Sequence, residues 1–173
     1  MKRIKKPETG EYPSYASMYI DLLPDDGNLL KHMEDNFKSV KELILPLPEE
    51  KLLYRYAPAK WTIKEILVHI IDDERIYSYR ALRFARNDST PLPGFEQDDF
   101  SRFSNANRRD LENIFEEYDA VRRATIALFN GLEDEAFTRF GTADEKKATV
   151  RALAYHIAGH ELHHISIIKE KYI

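Results

Sequence analysis

The stretch from Ala154 to Ile165, AYHIAGHELHHI, holds four of the protein's six histidines. Apolar residues around it recur at helical spacing, which predicts an amphipathic helix that continues to the end of the chain. Side chains four residues apart point the same way on a helix, so His160 and His164 share one face, the apolar one. A single inward imidazole is most simply a hydrogen-bonded core residue. Two in succession favour a pair of metal ligands, with His156 and His163 at the edge of the stripe.

A second long helix is predicted from Trp61 to Arg86. It opens with a capping box, in which Thr62 and Glu65 satisfy each other's backbone amides. Its inward face carries His69, with Asp73 one turn further on. His69 is therefore the candidate for a third ligand.

The same helix has a further apolar strip at Leu67, Ile71 and Leu82. A helix that is apolar on two sides must bury both of them. This strip is therefore expected to meet another helix of the chain or a second subunit.

Two more helices complete the pattern. One is predicted to run from Leu30 to Ile44, where Pro46 and Pro48 end it, and the other from about Asn107 to Asn130. Thr149 is expected to cap the last helix. The charged residues of the helix from about Asn107 to Asn130 are expected to face solvent; they are Glu112, Glu116, Glu117, Arg122 and Arg123.

The connections are predicted to be irregular. Residues 87–104 contain two prolines and a glycine, and 140–144 are predicted to form a loop. Long ordered loops often serve a site, and this one offers Gln97, Asp98 and Asp99, although a plain crossover link is an equally good interpretation.

These elements predict an all-α four-helix bundle with an N-terminal arm and a long crossover loop. One domain is expected over 1–173, with the arm at 1–26 and the bundle at 27–173. The arm is expected to be ordered, because Tyr12, Tyr15 and Tyr19 are unusual in a disordered tail.

The amino-acid composition restricts the classes of function that the protein can have. Hydrophobic residues make up 43% and charged residues 32%, typical of a soluble helical protein. No apolar run reaches the roughly 20 residues that cross a bilayer, and none follows the basic N-terminus as a signal peptide would, so we expect a cytoplasmic protein with no membrane partner. A net charge of −4 argues against nucleic acid. Because the chain has no cysteine, a metal would have nitrogen and oxygen ligands, and thiol chemistry would need an external thiol.

In a bundle, His69 can face His160 and His164. Three neutral imidazoles suit Zn²⁺, without excluding Ni²⁺, Co²⁺, Cu²⁺ or Fe²⁺. Three protein ligands leave a position open, as in reactive sites, where a bound water can have a pKa near 7 or a small thiol can bind.

Each ligating imidazole also needs a partner for its second ring nitrogen. Asp73, Glu65 and Glu161 are the nearby carboxylates, of which Asp73 is best placed. Asp73 could instead pair with Arg80 or act as a fourth ligand. The His-Glu-x-x-His metalloprotease pattern is absent.

Several motifs together resemble the DinB-like superfamily, which includes the YfiT-type metal-dependent hydrolases and the bacillithiol- and mycothiol-dependent transferases. The motifs cover nearly the whole chain and are Glu11-Tyr12, Tyr19-Ile20, Tyr54 to Ile66, Val68 to Arg75, Pro91 to Phe95 and Gly159 to His164. The resemblance implies a four-helix bundle, often a homodimer, with a divalent metal bound by His69, His160 and His164. The chain departs from the family pattern at His156, which forms a second His-x3-His with His160.

The expected function is that of a metal-dependent enzyme acting on a small molecule, either a hydrolase or a transferase of a low-molecular-weight thiol. The alternatives are a non-catalytic metal-binding protein of stress response or interaction, and three buried histidines without a metal. The residues do not identify the substrate.

Overall fold

The computed structural model describes residues 1–173, and helices make up most of it. The helices are α1 (Ser17–Ile20), α2 (Leu29–Ile44), α3 (Glu49–Leu52), α4 (Ile63–Ala85), α5 (Gln97–Phe103), α6 (Leu111–Asn130) and α7 (Val150–Lys171). Two short strands, β1 (Phe140–Ala143) and β2 (Lys146–Thr149), pair antiparallel just before α7. Short 3₁₀ turns lie at Ser14–Ala16, Ala106–Arg108 and Asp134–Thr138.

The four long helices α2, α4, α6 and α7 form a bundle, which confirms the predicted fold class. α4 lies centrally and packs along both α6 and α7. Its strip at Leu67 and Ile71 is fully buried in a cluster with Ile114 and Tyr118 of α6, so a helix of the same chain covers it. Leu82, the third residue of the strip, is exposed.

The caps predicted at Thr62 and Thr149 are confirmed, whereas the helix predicted from about Asn107 begins at Leu111. Thr62 accepts from the amide of Glu65 at 3.1 Å, and the Glu65 carboxylate accepts from the amide of Thr62 at 2.8 Å. Thr149 accepts from the amide of Ala152 and so caps α7. Both caps satisfy amides that a helix start leaves without partners.

The N-terminal arm is ordered and lies against α7 through α1. At Gly159 the backbone of α7 comes so close to the arm that a Cβ would overlap the carbonyl oxygen of Tyr19. The Glu11 carboxylate accepts from Thr149 at 2.8 Å and from Nε of Arg151 at 2.7 Å. The arm therefore forms a wall of the bundle.

Two predicted loops contain regular structure. Residues 97–103 form α5. The sequence did not predict this helix, because it is only two turns long and has no apolar repeat. The predicted loop at 140–144 lies mostly in the β1–β2 hairpin. Its turn at Asp144 and Glu145 has positive φ at both residues, a geometry normally marked in sequence by Asn-Gly or Asp-Gly.

The expectation that Arg122 faces solvent is wrong. Its guanidinium is fully buried and donates to the Glu74 carboxylate at 2.9 Å, to Glu161 at 3.2 Å and to the carbonyl of Met33. This buried pairing joins α2, α4, α6 and α7. The expectation failed because the spacing of charges on one helix does not show the carboxylates that other helices bring to it.

No helix combines the length and the apolar character needed to cross a bilayer.

Candidate metal centre

Three imidazoles meet between α4 and α7. Nε2 of His160 lies 3.1 Å from Nε2 of His69 and 3.0 Å from Nε2 of His164. All three ligand atoms lie within 4.8 Å of one another. His69 and His160 are buried, and His164 is partly exposed. The structure thus brings together the three histidines that the sequence singled out.

The geometry follows from the two helices. His160 and His164 are one turn apart on α7, and His69 lies about two turns beyond the Thr62 cap of α4. Because α4 and α7 pack side by side, the apolar face of each presents its histidines to the other.

Burial keeps these imidazoles neutral. It lowers the pKa of His160 to about 3 and that of His164 to about 2, and it also lowers the pKa of His69. A neutral imidazole has a lone pair on one ring nitrogen, which is the form that binds a metal. At neutral pH the three rings are therefore ready to act as ligands.

Asp73 lies on the opposite edge of the His160 ring from the other two imidazoles. Its Oδ2 is 3.4 Å from Nδ1 of His160 and 3.3 Å from Nε2 of His156. Burial alone would raise the pKa of this carboxyl, but the neighbouring His160 and His156 hold it below its usual value. A carboxylate beside Nδ1 favours a proton there and leaves the lone pair on Nε2.

Two alternative roles for Asp73 do not match this geometry. Arg80 forms no ion pair with it; instead the guanidinium donates to the carbonyl of Pro93 at 3.1 Å and lies over the rings of Tyr77 and Phe95. As a fourth ligand, Asp73 would have to lie among the three Nε2 atoms, but its carboxylate contacts Nδ1.

The other candidate partners lie elsewhere. Glu65 belongs to the capping box and pairs with Arg55 at 2.7 Å, while Glu161 is buried beside Arg122. Neither carboxylate contacts the three rings. The spacing within each helix placed Glu65 and Glu161 near the histidines in sequence. In the structure, however, their side chains point away from the three rings.

His156 is not part of the three-imidazole cluster, and its expected place at the edge of the apolar stripe is wrong. The ring is buried and lies flat on Tyr77, with centroids 3.7 Å apart and planes 3° apart. Its Nε2 faces Asp73. His163 is partly exposed, as expected for the edge of the stripe.

A cleft of about 330 Å³ opens beside His164. Trp61, which the sequence marked only as a helix start, lines it, with its ring centroid 4.6 Å from that of His69. Gln97 and Asp98 of α5 also line the cleft, whereas Asp99 does not. The crossover segment therefore supplies two of its three proposed polar groups to the site. The position of Trp61 two turns before His69 was a signal that could have identified it.

The donor set fits a divalent ion. With metal–nitrogen bonds of about 2.1 Å, two ligands of one ion lie roughly 3.0–3.4 Å apart. The separations from Nε2 of His160, 3.0 Å to His164 and 3.1 Å to His69, are of that size, and the third pair of ligand atoms lies within 4.8 Å. Oxygen-preferring ions such as Ca²⁺ and Mg²⁺ do not suit three imidazoles.

Comparisons with known proteins agree with this architecture. A family model described as the DinB superfamily matches residues 32–168. An Oceanobacillus iheyensis protein named "Putative metal-dependent hydrolase" is 26% identical over 142 residues, covering 81% of each chain. The solved structure of YfiT from Bacillus subtilis superimposes with a TM-score of 0.76 at 17% identity, covering 84% of this chain and 85% of the other. That protein is described as "a probable metal-dependent hydrolase with an unusual four-helix bundle topology".

Proposed function

The chain belongs to the DinB superfamily, and from this membership we propose that it is a metal-dependent enzyme acting on a small molecule. The observation that carries the proposal is the convergence of three Nε2 atoms within 4.8 Å beside an open cleft. The similarity to a protein named as a metal-dependent hydrolase supports it.

We propose His69, His160 and His164 as the protein ligands of one divalent ion. Zn²⁺ is the first candidate, because imidazole nitrogens suit it, and Ni²⁺ is the second. An ion held by three protein ligands supplies Lewis-acid chemistry and can lower the pKa of a bound water to about 7.

The surrounding residues have separate tasks in this proposal. The Asp73 carboxylate lies 3.4 Å from Nδ1 of His160, where its charge favours the tautomer that leaves the lone pair on Nε2. Trp61 packs on His69 and lines the cleft, where it can contact a substrate. Gln97 and Asp98 stand at the cleft, where they can hydrogen-bond a substrate.

Two reaction types remain open within the proposal. A hydrolase uses water alone, whereas a thiol transferase needs a low-molecular-weight thiol such as bacillithiol, since the chain has no cysteine. A screen of metal-loaded protein against esters, amides and electrophiles, with and without such thiols, separates them. Turnover in water supports the hydrolase, and turnover only with added thiol supports the transferase.

The second candidate is a non-catalytic metal-binding protein of stress response or interaction. It predicts that Asp73 or His156 closes the coordination shell and that no cavity lies beside the metal. The cleft next to His164 and the contact of Asp73 with Nδ1 of His160 favour the enzyme.

Metal analysis tests the ligand assignment. Protein purified without an affinity tag should carry about one divalent ion per chain, as expected for a preformed three-ligand site, and His160→Ala should lose it. His163→Ala is the matched control, because this neighbouring histidine lies outside the three-imidazole cluster. Equal metal content in wild type and His160→Ala would contradict the assignment.

We also propose a homodimer and a cytoplasmic location. Tyr79 and Leu82 expose large apolar side chains on α4, next to the surface of α6, and offer a face for a second copy. Sedimentation of wild type and Leu82→Glu tests the dimer. A monomer in both cases would exclude it.

A further inference from the structure

Aromatic rings form a wall of the cleft beside the proposed ligand His164. The indole of Trp61 is tilted by 52° to the His69 ring and lies 6.3 Å from the His164 ring, at 28° to it. This is the chain's single tryptophan, and it is partly exposed, so part of its ring remains free for a guest in the cleft.

Two tyrosines extend the aromatic wall. The rings of Tyr56 and Tyr172 meet edge to face, with centroids 5.2 Å apart, and both residues line the cleft. The hydroxyl of Tyr172 donates to the carbonyl of Trp61 at 2.5 Å, which ties the segment before α4 to the end of α7. The wall is therefore held in place before any ligand enters, which reduces the entropic cost of binding.

The charges at the cleft favour neither sign. Lys60 and Asp98 line it with opposite charges, and both side chains are exposed. Salt and water screen such exposed charges. Stacking on the rings, and not net charge, is then the property that distinguishes one guest from another.

We propose that this cleft takes small molecules that carry a flat unsaturated ring, stacked against Trp61 and Tyr56, while a polar head reaches the metal beside His164. The inference rests on the proposed function, since it places the substrate's reacting group at that metal. It names the substrate class as uncharged aromatic or heteroaromatic compounds with an oxygen or sulfur donor near the ring.

A pair of matched probes tests the proposal. Benzohydroxamate and acetohydroxamate share a metal-binding head and differ in a phenyl or methyl group. Their binding to full-length Co²⁺-loaded protein can be followed by the visible absorption of the ion. We expect benzohydroxamate to bind about tenfold more tightly, because the ring gains aromatic contacts, whereas free Co²⁺ should show no such preference.

Variants locate the effect. Trp61→Leu should bring the ratio of the two dissociation constants close to the ratio measured with free Co²⁺. Trp61→Phe should restore part of the preference for benzohydroxamate. Tyr56→Leu should reduce the preference for benzohydroxamate severalfold. This variant replaces Trp61→Leu in the test if Trp61→Leu folds poorly. Phe103→Leu is the control, because this exposed ring on α5 lies outside the cleft.

The outcomes separate the two proposals. If Co²⁺ fails to bind, or His160→Ala binds it equally well, the metal assignment fails and the substrate class falls with it. If Co²⁺ binds at the histidines but the probe ratio equals that of the free ion, only the substrate class is overturned. A high ratio that neither Trp61→Leu nor Tyr56→Leu lowers also overturns it.

Discussion

His160 uses its two ring nitrogens for different neighbours. Nε2 faces His69 and His164, and Nδ1 faces the carboxylate of Asp73. A carboxylate beside Nδ1 favours the tautomer that leaves the lone pair on Nε2, which is the form that a metal ligand needs. The position of Asp73 is therefore part of the proposed site.

Asp73→Asn should weaken metal binding by about 10- to 100-fold, because the neutral amide no longer orients His160 and no longer increases the basicity of its ring. Zn²⁺ affinity measured by competition with a chelating dye checks this. Asp72→Asn is the control, since that carboxylate lies 3.8 Å from Arg75 instead. Equal affinities for the two variants would rule out the orienting role.

The stability of the metal-free protein should fall in mild acid. The pKa of His160 and that of His164 lie below the ordinary 6.5 in the folded state, because of burial. Below pH 6.5 the unfolded chain binds protons that the folded chain does not, so stability is present above that pH and is lost as the pH falls towards 3. Each such group contributes up to about 1.4 kcal/mol per pH unit.

Urea unfolding of chelator-treated protein between pH 7 and pH 5 measures this slope. His164→Gln removes one of the imidazoles with a lowered pKa and should flatten the dependence. His163→Gln should change it less, because burial alone lowers the pKa of His163, whereas the neighbouring His160 and His69 add to the effect at His164. Identical slopes in all three proteins would contradict the explanation.

At the scale of the elements, the backbones of α1 and α7 come into close contact at Gly159. Gly159 precedes His160, and the backbone of Tyr19 occupies the space that a Cβ atom on residue 159 would need. The Tyr19 ring then packs edge-on against His156, His160 and His163, with centroid distances of 5.0–5.4 Å. The arm therefore covers the side of α7 that carries the proposed ligand His160.

Gly159→Ala should destabilise the protein by about 1–3 kcal/mol, because the added methyl group forces the arm away. This outcome is opposite to the gain of up to about 1 kcal/mol that alanine usually brings inside a helix. Gly131→Ala is the control; its Cβ would meet the Ala127 carbonyl at an ordinary 3.4 Å. Thermal unfolding of both variants checks the prediction, and a stabilised Gly159→Ala protein would refute it.

At the scale of the whole molecule, Arg122 joins the four long helices. Glu74 comes from α4 and Glu161 from α7, while Met33 on α2 offers its carbonyl. Burial raises the pKa of Glu161, and the nearby guanidinium opposes that shift. The bundle thus encloses a charged layer whose Glu161 directly follows the proposed ligand His160 in the chain.

Arg122→Met should cost about 3–5 kcal/mol, because two buried carboxylates lose their cation. Arg123→Met is the matched control; its side chain is 74% exposed and pairs only with Asp119, so its loss should cost about 0.5 kcal/mol or less. Urea unfolding measures both. Similar losses for the two variants would mean that the buried layer adds nothing to stability.

Local sequence determined the long helices, the caps of α4 and α7 and the inward faces that carry His69, His160 and His164, because helical periodicity and capping act over a few residues. The hairpin turn at Asp144 and the short α5 were not predictable in that way, since neither has the usual local signal. Only the tertiary structure decided the partners of Arg122, the flat contact of His156 with Tyr77, and the aromatic cleft at Trp61. These depend on which side chains distant helices bring together, and no spacing within one helix contains that information.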